Sequence, residues 1–287
     1  MNYFDLHCDS VSEALNKKKP LKNGDMCVSL DKAIGFDVWR QCFALFIPDE
    51  LHGEAAYKEY KRLFAFYKEQ LSLFKDVDTP ILTVENATAL GGKLERVEEL
   101  ALDGVKMMGL TWNAENELGF GAGTSGGRLK QFGKEVIKQM RRCRITVDVS
   151  HLSDESLNDL LAYCDFPVVA SHSNLRSVCD NKRNLTDEQF KDIASRGGLV
   201  GLNLHVPFLT KEKDATKEDL YRQVDRMLLL GGEKCMALGT DFDGGIAPAF
   251  CRDISCVKGL YDDFAKRYGK AATDRIFYTN AFDFFLK

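Results

Sequence analysis

The amino-acid sequence predicts an α/β protein in which eight strand–helix units close into a (β/α)8 barrel. Three observations lead to this prediction: a chain of 287 residues, eight short apolar runs, and helical stretches between most of those runs. Barrels of this type usually have roughly 250 residues, so the length suits one barrel. Because no linker, repeat or low-complexity tract interrupts the chain, we predict a single domain spanning residues 1–287.

The strand candidates are short runs rich in apolar and β-branched residues. Nearly continuous apolar strands indicate a parallel sheet that helices cover on its outside, and eight parallel strands close a barrel of this type. The eight runs are Tyr3–Asp9, Arg40–Ile47, Pro80–Glu85, Val105–Thr111, Ile145–His151, Pro167–His172, Leu199–Leu204 and Met236–Asp241.

Helical periodicity is present between most of these runs. It predicts helices over Ala55–Phe74, Leu129–Arg142, Asp154–Tyr163, Asp187–Arg196 and Lys217–Leu230. The first unit is the least regular, since residues 10–39 contain several turn-forming residues and only short helical stretches.

An open, doubly wound sheet is the alternative fold. The segment Gly121-Ala-Gly123-Thr-Ser-Gly126 matches the glycine pattern of dinucleotide-binding loops, and Asp148 follows about twenty residues later. Such a loop must turn tightly from strand to helix, whereas nine residues separate Thr111 from Gly121. We therefore interpret the segment as a glycine-rich loop near the mouth of a barrel.

Composition and charge exclude several classes of protein. Hydrophobic residues make up 45% of the chain and charged residues 29%, which is typical of a soluble domain with a large core. The formal net charge of -4 provides no positive field that would attract phosphate backbones or anionic lipid. We expect neither nucleic-acid nor membrane binding.

The amino terminus and the cysteines together predict a cytoplasmic location. The first residues lack the basic and apolar segments of a signal peptide, and no run of about 18 apolar residues occurs in the chain. The nine cysteines are odd in number and form no C-x-x-C pair. We expect them to be reduced thiols.

Histidines fall where strands are predicted to end. There are five in the chain, His7, His52, His151, His172 and His205, and His7, His151 and His172 lie at or near such ends. A single histidine at a strand end is often a hydrogen-bonded structural residue. Several at matching strand ends indicate a common site, because catalytic groups of barrel enzymes cluster at the carboxyl ends of the strands.

Carboxylates complete this set of donors. Since side chains alternate along a strand, His7 and Asp9 project to the same side. With Glu85, His151 and His172 they give five nitrogen and oxygen donors, more than one tetrahedral zinc ion needs. If the two ions share Glu85, one is held by His7, Asp9 and Glu85 and the other by Glu85, His151 and His172, with a bridging water.

Asp241 ends the last predicted strand, within Gly239-Thr-Asp-Phe-Asp-Gly244. A carboxylate there is suited to passing a proton between a metal-bound water and a leaving amine. We interpret the neighbouring Asp243 as a turn residue, and His52 and His205 as structural or rim residues.

These motifs together resemble the renal or membrane dipeptidase family of zinc peptidases, peptidase family M19, which has amidohydrolase-like barrels. The resemblance runs along nearly the whole chain. Its segments are Asp5-Leu-His-Cys-Asp-Ser10, Val147-Asp-Val-Ser-His151, Ser171-His-Ser-Asn174, Ser177-Val-Cys-Asp-Asn-Lys-Arg-Asn184 and Gly239-Thr-Asp-Phe-Asp-Gly244.

The resemblance implies a metal-dependent dipeptidase that hydrolyses dipeptides with a metal-bridging hydroxide. It implies two zinc ions per chain on the five ligands above, although other divalent metals stay open, and Glu85 is the bridge. It also implies that Arg183 binds the substrate carboxylate through two parallel hydrogen bonds. A homodimer is suggested, although no apolar stripe in the sequence demands one.

The clearest departure from the family follows the fourth predicted strand. Mammalian members have a substrate-binding histidine where this sequence reads Leu110-Thr-Trp112-Asn113, so we assign substrate contacts to Trp112 and Asn113. The indole N–H of Trp112 can donate a hydrogen bond but accepts no proton. Two alternatives therefore stay open: another binuclear amidohydrolase that acts on N-acyl amino acids or cyclic amides, and a catalytically weak binding homologue.

Overall fold

Eight parallel strands form a closed barrel in chain order in the computed structural model, which describes residues 1–74 and 78–286. The last strand pairs with the first through Asp5 and Leu238, which closes the cylinder. The predicted (β/α)8 barrel is confirmed. The strands are β1 (Asn2–Cys8), β2 (Val38–Phe46), β3 (Asp78–Glu85), β4 (Met107–Gly109), β5 (Thr146–Asp148), β6 (Val169–Ala170), β7 (Leu199–Leu202) and β8 (Met236–Leu238).

All eight predicted runs contain a strand, but several runs extend too far. Glu85 ends β3 as predicted, whereas His151 lies three residues beyond β5, His172 two beyond β6 and Asp241 three beyond β8. The prediction that these three residues end strands is wrong. The backbone leaves the sheet earlier and turns, and His151 and Asp241 adopt left-handed conformations in these turns, with φ of 70° and 60°.

Helices cover the outside of the barrel. They are α1 (Ser10–Lys17), α2 (Gly53–Leu71), α3 (Arg96–Leu102), α4 (Gln131–Arg142), α5 (Asp154–Tyr163), α6 (Asp187–Ser195), α7 (Val206–Leu209), α8 (Lys217–Leu229), α9 (Val257–Tyr268), α10 (Lys270–Asp274) and α11 (Asn280–Leu286). The five predicted helices correspond to α2, α4, α5, α6 and α8, and the bounds differ by at most three residues.

Side-chain caps explain where several of these helices begin. Ser153 accepts a hydrogen bond from the backbone N–H of Ser156 at the start of α5. Thr186 and Gln189 form a capping box at the start of α6, and Thr216 and Asp219 form another at α8. Each cap satisfies backbone donors that the first turn leaves unpaired.

Two apolar clusters form the core. The larger lies between the barrel and its helices, whereas the smaller takes residues from seven of the eight strands and therefore lies inside the barrel. Met107, Val169 and Leu199, the first residues of their strands, belong to the inner cluster, which also contains Ala281 of α11. Helix α11 thus covers the amino-terminal end of the barrel and leaves the carboxyl end for a site.

One pair of cysteines departs from the expectation of reduced thiols. Cys251 and Cys256 form a disulfide in the segment that leads into α9, and the other seven are free. The expectation is wrong for this pair, because the two cysteines lie only 5.2 Å apart between Cα atoms. Across residues 1–74 and 78–286, none of the helices combines the length and apolar composition that crossing a bilayer requires.

Candidate metal centre

The five predicted metal ligands meet at the carboxyl end of the barrel. His7 Nε2 lies 3.2 Å from Asp9 Oδ2, and His151 Nε2 lies 2.9 Å from Glu85 Oε1 and 2.8 Å from His172 Nε2. All five residues are buried. The structure therefore brings these side chains together, while their role as metal ligands stays a prediction.

Glu85 belongs to two groups of donors. In the first group, one ligand atom from each residue lies within 4.8 Å of the others; its members are His7, Asp9 and Glu85. The same distance holds in the second group, which consists of Glu85, His151 and His172. A third group combines His7, His172 and Asp241. The arrangement matches two cation positions with Glu85 between them, and it places Asp241 within reach of one of them.

Local irregularities of the backbone direct these side chains. The register between β1 and β2 shifts between Asp5 and Cys8, next to His7, and such bulges re-aim side chains near active sites. The backbone of His151, which is left-handed, is bonded to the glycine-rich segment: Ala122 N donates a hydrogen bond to the carbonyl oxygen of His151 at 2.7 Å. Asp241 N donates to the carbonyl oxygen of His7 at 3.2 Å.

Burial and close charges shift the pKa values of these groups. Burial alone would lower the pKa of His7, but Asp9 and Glu85 raise it to about 10. Burial and the neighbouring Asp9 raise the pKa of Glu85 well above its usual range. Burial lowers the pKa of His151 and His172 well below the usual value, which favours the neutral imidazole, the form that binds metal.

The donor set fits divalent cations. Asp9 Oδ1 is buried and has no hydrogen-bond partner among the described residues. The Nε2 atoms of His151 and His172 face one another beside the Glu85 carboxylate. Buried negative charge and converging lone pairs are costly unless a cation compensates them, and imidazole and carboxylate donors suit zinc.

Arg183 provides a positive charge beside this centre. No carboxylate of the described residues lies within ion-pair distance of its guanidinium, and its buried Nε has no hydrogen-bond partner. The guanidinium lies over the Phe208 ring at 5.4 Å and donates to the carbonyl oxygen of His172 at 3.4 Å. Burial lowers the pKa of Arg183 to about 10, while Asp241 and Glu85 oppose that shift.

A cavity of about 330 Å³ opens over the centre. Its walls include Glu85, Asp241, Trp112, His205 and Phe208, and the guanidinium of Arg183 lies over the Phe208 ring. His205, interpreted from sequence as a structural or rim residue, therefore lines the cavity, and its Nδ1 accepts a hydrogen bond from Ile246 N. The volume is at the lower end of the range for small-molecule sites.

Trp112 and Asn113 both line this cavity. Trp112 packs edge-on against Phe46, with ring centroids 5.0 Å apart. Asn113 Oδ1 lies 2.9 Å from His151 Nδ1, so this side chain contacts a predicted ligand. The substrate contacts assigned to both residues stay predictions.

The glycine-rich segment packs against the loop that presents these two residues. A Cβ atom on Gly121 would lie 2.2 Å from the carbonyl oxygen of Trp112, and one on Gly123 would lie 2.7 Å from that of Asn113. Only glycine permits such close backbone contact. The segment follows β4 as a loop, as the sequence interpretation expected.

Sequence reasoning missed several polar residues that support the centre, among them Asp5 and Asn203. Asp5 accepts hydrogen bonds from Thr240 N and Oγ1 at 2.9 and 2.6 Å, which fixes the residue before Asp241. Asn203 Nδ2 donates to Asp241 Oδ2 at 3.0 Å. A charged residue inside the apolar run of β1 was the signal for Asp5, whereas nothing local distinguished Asn203.

Asp243 has a further supporting role. Asp243 adopts a left-handed backbone conformation, with φ of 66°. This agrees with its interpretation as a turn residue. Its carboxylate also accepts hydrogen bonds from Ser10 Oγ at 2.5 Å and from the backbone N–H groups of Cys27 and Val28. Asp243 thus ties the loop after β8 to the start of α1.

A parallel eight-stranded barrel with buried imidazoles and carboxylates at its carboxyl end defines the class of metal-dependent hydrolases. The model of the membrane dipeptidase family, peptidase family M19, matches residues 1–285. The chain belongs to this family, which confirms the resemblance.

Individual relatives share sequence or fold with this chain. An uncharacterised protein of Klebsiella pneumoniae from the region 5′ of pqqA is 30% identical over 209 residues, 69% of this chain and 77% of that protein. The crystal structure of the dipeptidase AC, a metallopeptidase of family M19, superposes with a TM-score of 0.91 at 22% identity and covers 99% of this chain and 97% of that chain.

A second solved structure shares the fold along the whole chain. It is a metallopeptidase from Rhodobacter sphaeroides bound to a phosphinate mimic of the dipeptide L-Ala-D-Ala. The TM-score is 0.89 at 22% identity, with 99% of this chain and 98% of that chain covered.

Proposed function

We propose that this protein is a zinc-dependent dipeptidase with two metal ions per chain. The observation that carries the proposal is the position of Glu85 in two donor groups beneath one cavity. Family membership supports a metallopeptidase, and the dipeptide mimic bound to the Rhodobacter sphaeroides relative supports a dipeptide as substrate.

The proposed ligands divide into two sets. His7, Asp9 and Glu85 hold one ion, and Glu85, His151 and His172 hold the other. Two bound divalent ions would supply Lewis acidity, which lowers the pKa of a water to make a hydroxide nucleophile and polarises the scissile carbonyl.

Asp241 moves the proton in this proposal. Its Oδ2 is held by Asn203, so Oδ1, 4.0 Å from His7 Nε2, is directed toward the donor groups. Burial raises the pKa of Asp241 to about 6, against the opposing charge of His7. A carboxylate that titrates near neutrality can accept a proton from water and deliver it to the leaving nitrogen.

Arg183 binds the carboxylate of the dipeptide. An unpaired guanidinium beside the cavity needs an anion, and a planar fork of N–H groups suits a carboxylate. Stacking on Phe208 keeps the guanidinium at the wall on that side of the cavity. The substrate is thereby oriented with its peptide bond toward the centre.

Elemental analysis combined with a dipeptide library tests the proposal. Fully loaded protein should contain two zinc ions per chain and hydrolyse dipeptides. His151→Ala should remove mainly one ion, since His151 belongs to one donor set. At most one ion in the wild type would contradict the binuclear centre, and turnover of N-acyl amino acids without turnover of free dipeptides would favour another amidohydrolase.

Arg183→Met tests substrate binding separately. Methionine keeps an unbranched apolar contact with Phe208 but loses the charge, so KM should rise sharply for dipeptides and far less for their carboxyl-terminal amides. Arg128→Met is the control, because Arg128 is exposed and pairs with Asp159 on the surface. Equal losses on both substrates would mean that Arg183 is structural.

A further inference from the structure

Behind His172 lies a chain of hydrogen bonds that the proposed reaction does not use. Ser171 Oγ donates to Asp148 Oδ2 at 2.5 Å and lies 2.8 Å from His172 Nδ1. The exposed fractions are 5% for Asp148, 0% for Ser171 and 1% for His172. Water therefore has little access to these hydrogen bonds. Where each proton lies depends on the three side chains.

The geometry of the three groups favours one arrangement of protons. Asp148 Oδ1 accepts from the backbone N–H groups of Ser150 and Ser171 at 2.9 and 3.0 Å. An ionised carboxylate only accepts, so the single hydroxyl proton of Ser171 lies in its bond to Asp148. Toward His172 the hydroxyl oxygen can then only accept, which places the imidazole proton on Nδ1.

This tautomer leaves a lone pair on His172 Nε2. That atom faces His151 Nε2 at 2.8 Å and Glu85 Oε1 at 3.7 Å, in the donor group proposed to hold one metal ion. A proton on Nε2 would instead occupy the direction of the metal. The tautomer of His172 thus decides whether this donor group is ready to bind.

We infer that Asp148 and Ser171 are positioning residues that hold His172 in the Nδ1–H tautomer and so present its Nε2 to the metal. The inference rests on the proposed metal centre. Hydrogen-bonded partners behind a ligating histidine fix its tautomer and its ring orientation, and their loss costs roughly 10- to 100-fold in metal affinity.

The backbone fixes the positions of Asp148, Ser171 and His172 relative to one another. Asp148 is the last residue of β5, and Ser171 directly follows β6, the neighbouring strand with which β5 pairs. His172 N also donates to Ser150 Oγ at 3.2 Å. The imidazole is therefore held from its ring and from its backbone by residues of two adjacent strand ends.

Nitrogen NMR of histidine in the metal-free protein reads the tautomer directly. In the wild type, the His172 Nε2 signal should be that of an unprotonated ring nitrogen, with the assignment made by its loss in His172→Gln. Asp148→Asn should invert the tautomer: the new amide N–H donates to Ser171, whose hydroxyl proton then turns toward His172 Nδ1. Ser171→Ala should give a mixture of tautomers.

Metal titration provides the second readout. Asp148→Asn should weaken the ion held by Glu85, His151 and His172 roughly 10- to 100-fold, with a smaller loss in Ser171→Ala. Ser173→Ala is the matched control, since Ser173 is equally buried and its hydroxyl lies 3.5 Å from Ser150 Oγ. It should keep the wild-type tautomer and affinity.

The outcomes separate this inference from the proposed function. A wild-type His172 protonated on Nε2, or an Asp148→Asn variant with an unchanged tautomer, would overturn the inference whatever the enzyme hydrolyses. If Asp148→Asn fails to fold, an unchanged single tautomer in Ser171→Ala overturns it as well. A correct tautomer in a protein that hydrolyses no dipeptide would contradict the proposed function alone.

Discussion

The position of Asp241 is compatible with two chemical roles, metal ligation and proton transfer. It shares a donor group with His7 and His172, yet its second oxygen is already engaged by Asn203. Three imidazoles and the two other carboxylates supply enough donors for two ions without it. Proton transfer is therefore the role that the remaining oxygen is free to perform.

Asp241→Asn should keep its metal and lose its turnover. Asparagine preserves the size of the side chain but carries no titrating proton, so kcat should fall by roughly 10² to 10⁴ while KM changes little. Steady-state kinetics and metal content, measured on the same preparation, check this expectation. Asp159→Asn on the surface serves as the control and should leave both values unchanged.

Two other results would contradict this assignment. Near-normal kcat in Asp241→Asn would mean that another group moves the proton. Loss of metal would instead place Asp241 among the ligands, which is what the third donor group allows. The proton carrier would then have to be sought elsewhere along the cavity wall.

At the scale of elements, the apolar runs predicted every strand but, except for β3, not the residue at which the strand ends. The run that ends in His151 continues past β5 because its last residues are also apolar or small. The left-handed conformation of His151 depends on a hydrogen bond from Ala122, which is about thirty residues away and leaves no local signal. Strand ends are therefore set by tertiary contacts.

The same reason limits the prediction of the site. His7, Glu85, His151 and His172 could be found because histidines and acids are unusual at the ends of apolar runs. Asn203 and the Asp148–Ser171 pair could not be, since their partners come from other strands. Helix α11 was missed because it has only seven residues, fewer than helical periodicity needs to be recognised in a sequence.

The strands next to the site leave no room at Gly239, directly after β8. A Cβ atom there would lie 1.8 Å from the backbone carbonyl oxygen of Ser171. Gly239→Ala should therefore destabilise the protein by at least the ~1–3 kcal/mol that is typical of overpacked cores. Urea unfolding measures this loss, and weaker metal binding should accompany it because Ser171 would be displaced.

Gly259→Ala is the matched control for that substitution. Gly259 lies in α9, is exposed, and has open space where a Cβ atom would be added. Alanine there should be neutral or stabilising by about 0.5–1 kcal/mol, because it favours the helix. Equal stability of the Gly239→Ala variant and the wild type would contradict the close contact between β8 and the residue after β6.

At the scale of the whole molecule, the buried carboxylates of the predicted metal centre lower the free energy of unfolding. Glu85 is buried beside Asp9, and Asp241 adds a further negative charge. Without cations these charges repel one another in a region of low water access. The fold must supply the free energy that keeps them together, and metal bound at the proposed centre would return part of it.

Glu85→Gln should therefore have opposite effects in the two states of the protein. In metal-free protein it removes, at nearly constant volume, a buried carboxyl group whose charged form is disfavoured by burial and by Asp9, so the free energy of unfolding should equal or exceed that of the wild type. With zinc in excess the order should reverse, because a ligand present at 100 times its Kd stabilises the native state by about 2.7 kcal/mol and the variant lacks the shared carboxylate. Thermal unfolding with chelator and with zinc, alongside the exposed control Glu135→Gln, measures both differences. A variant less stable than the wild type by the same amount in both states would show that Glu85 supports the fold and not the metal.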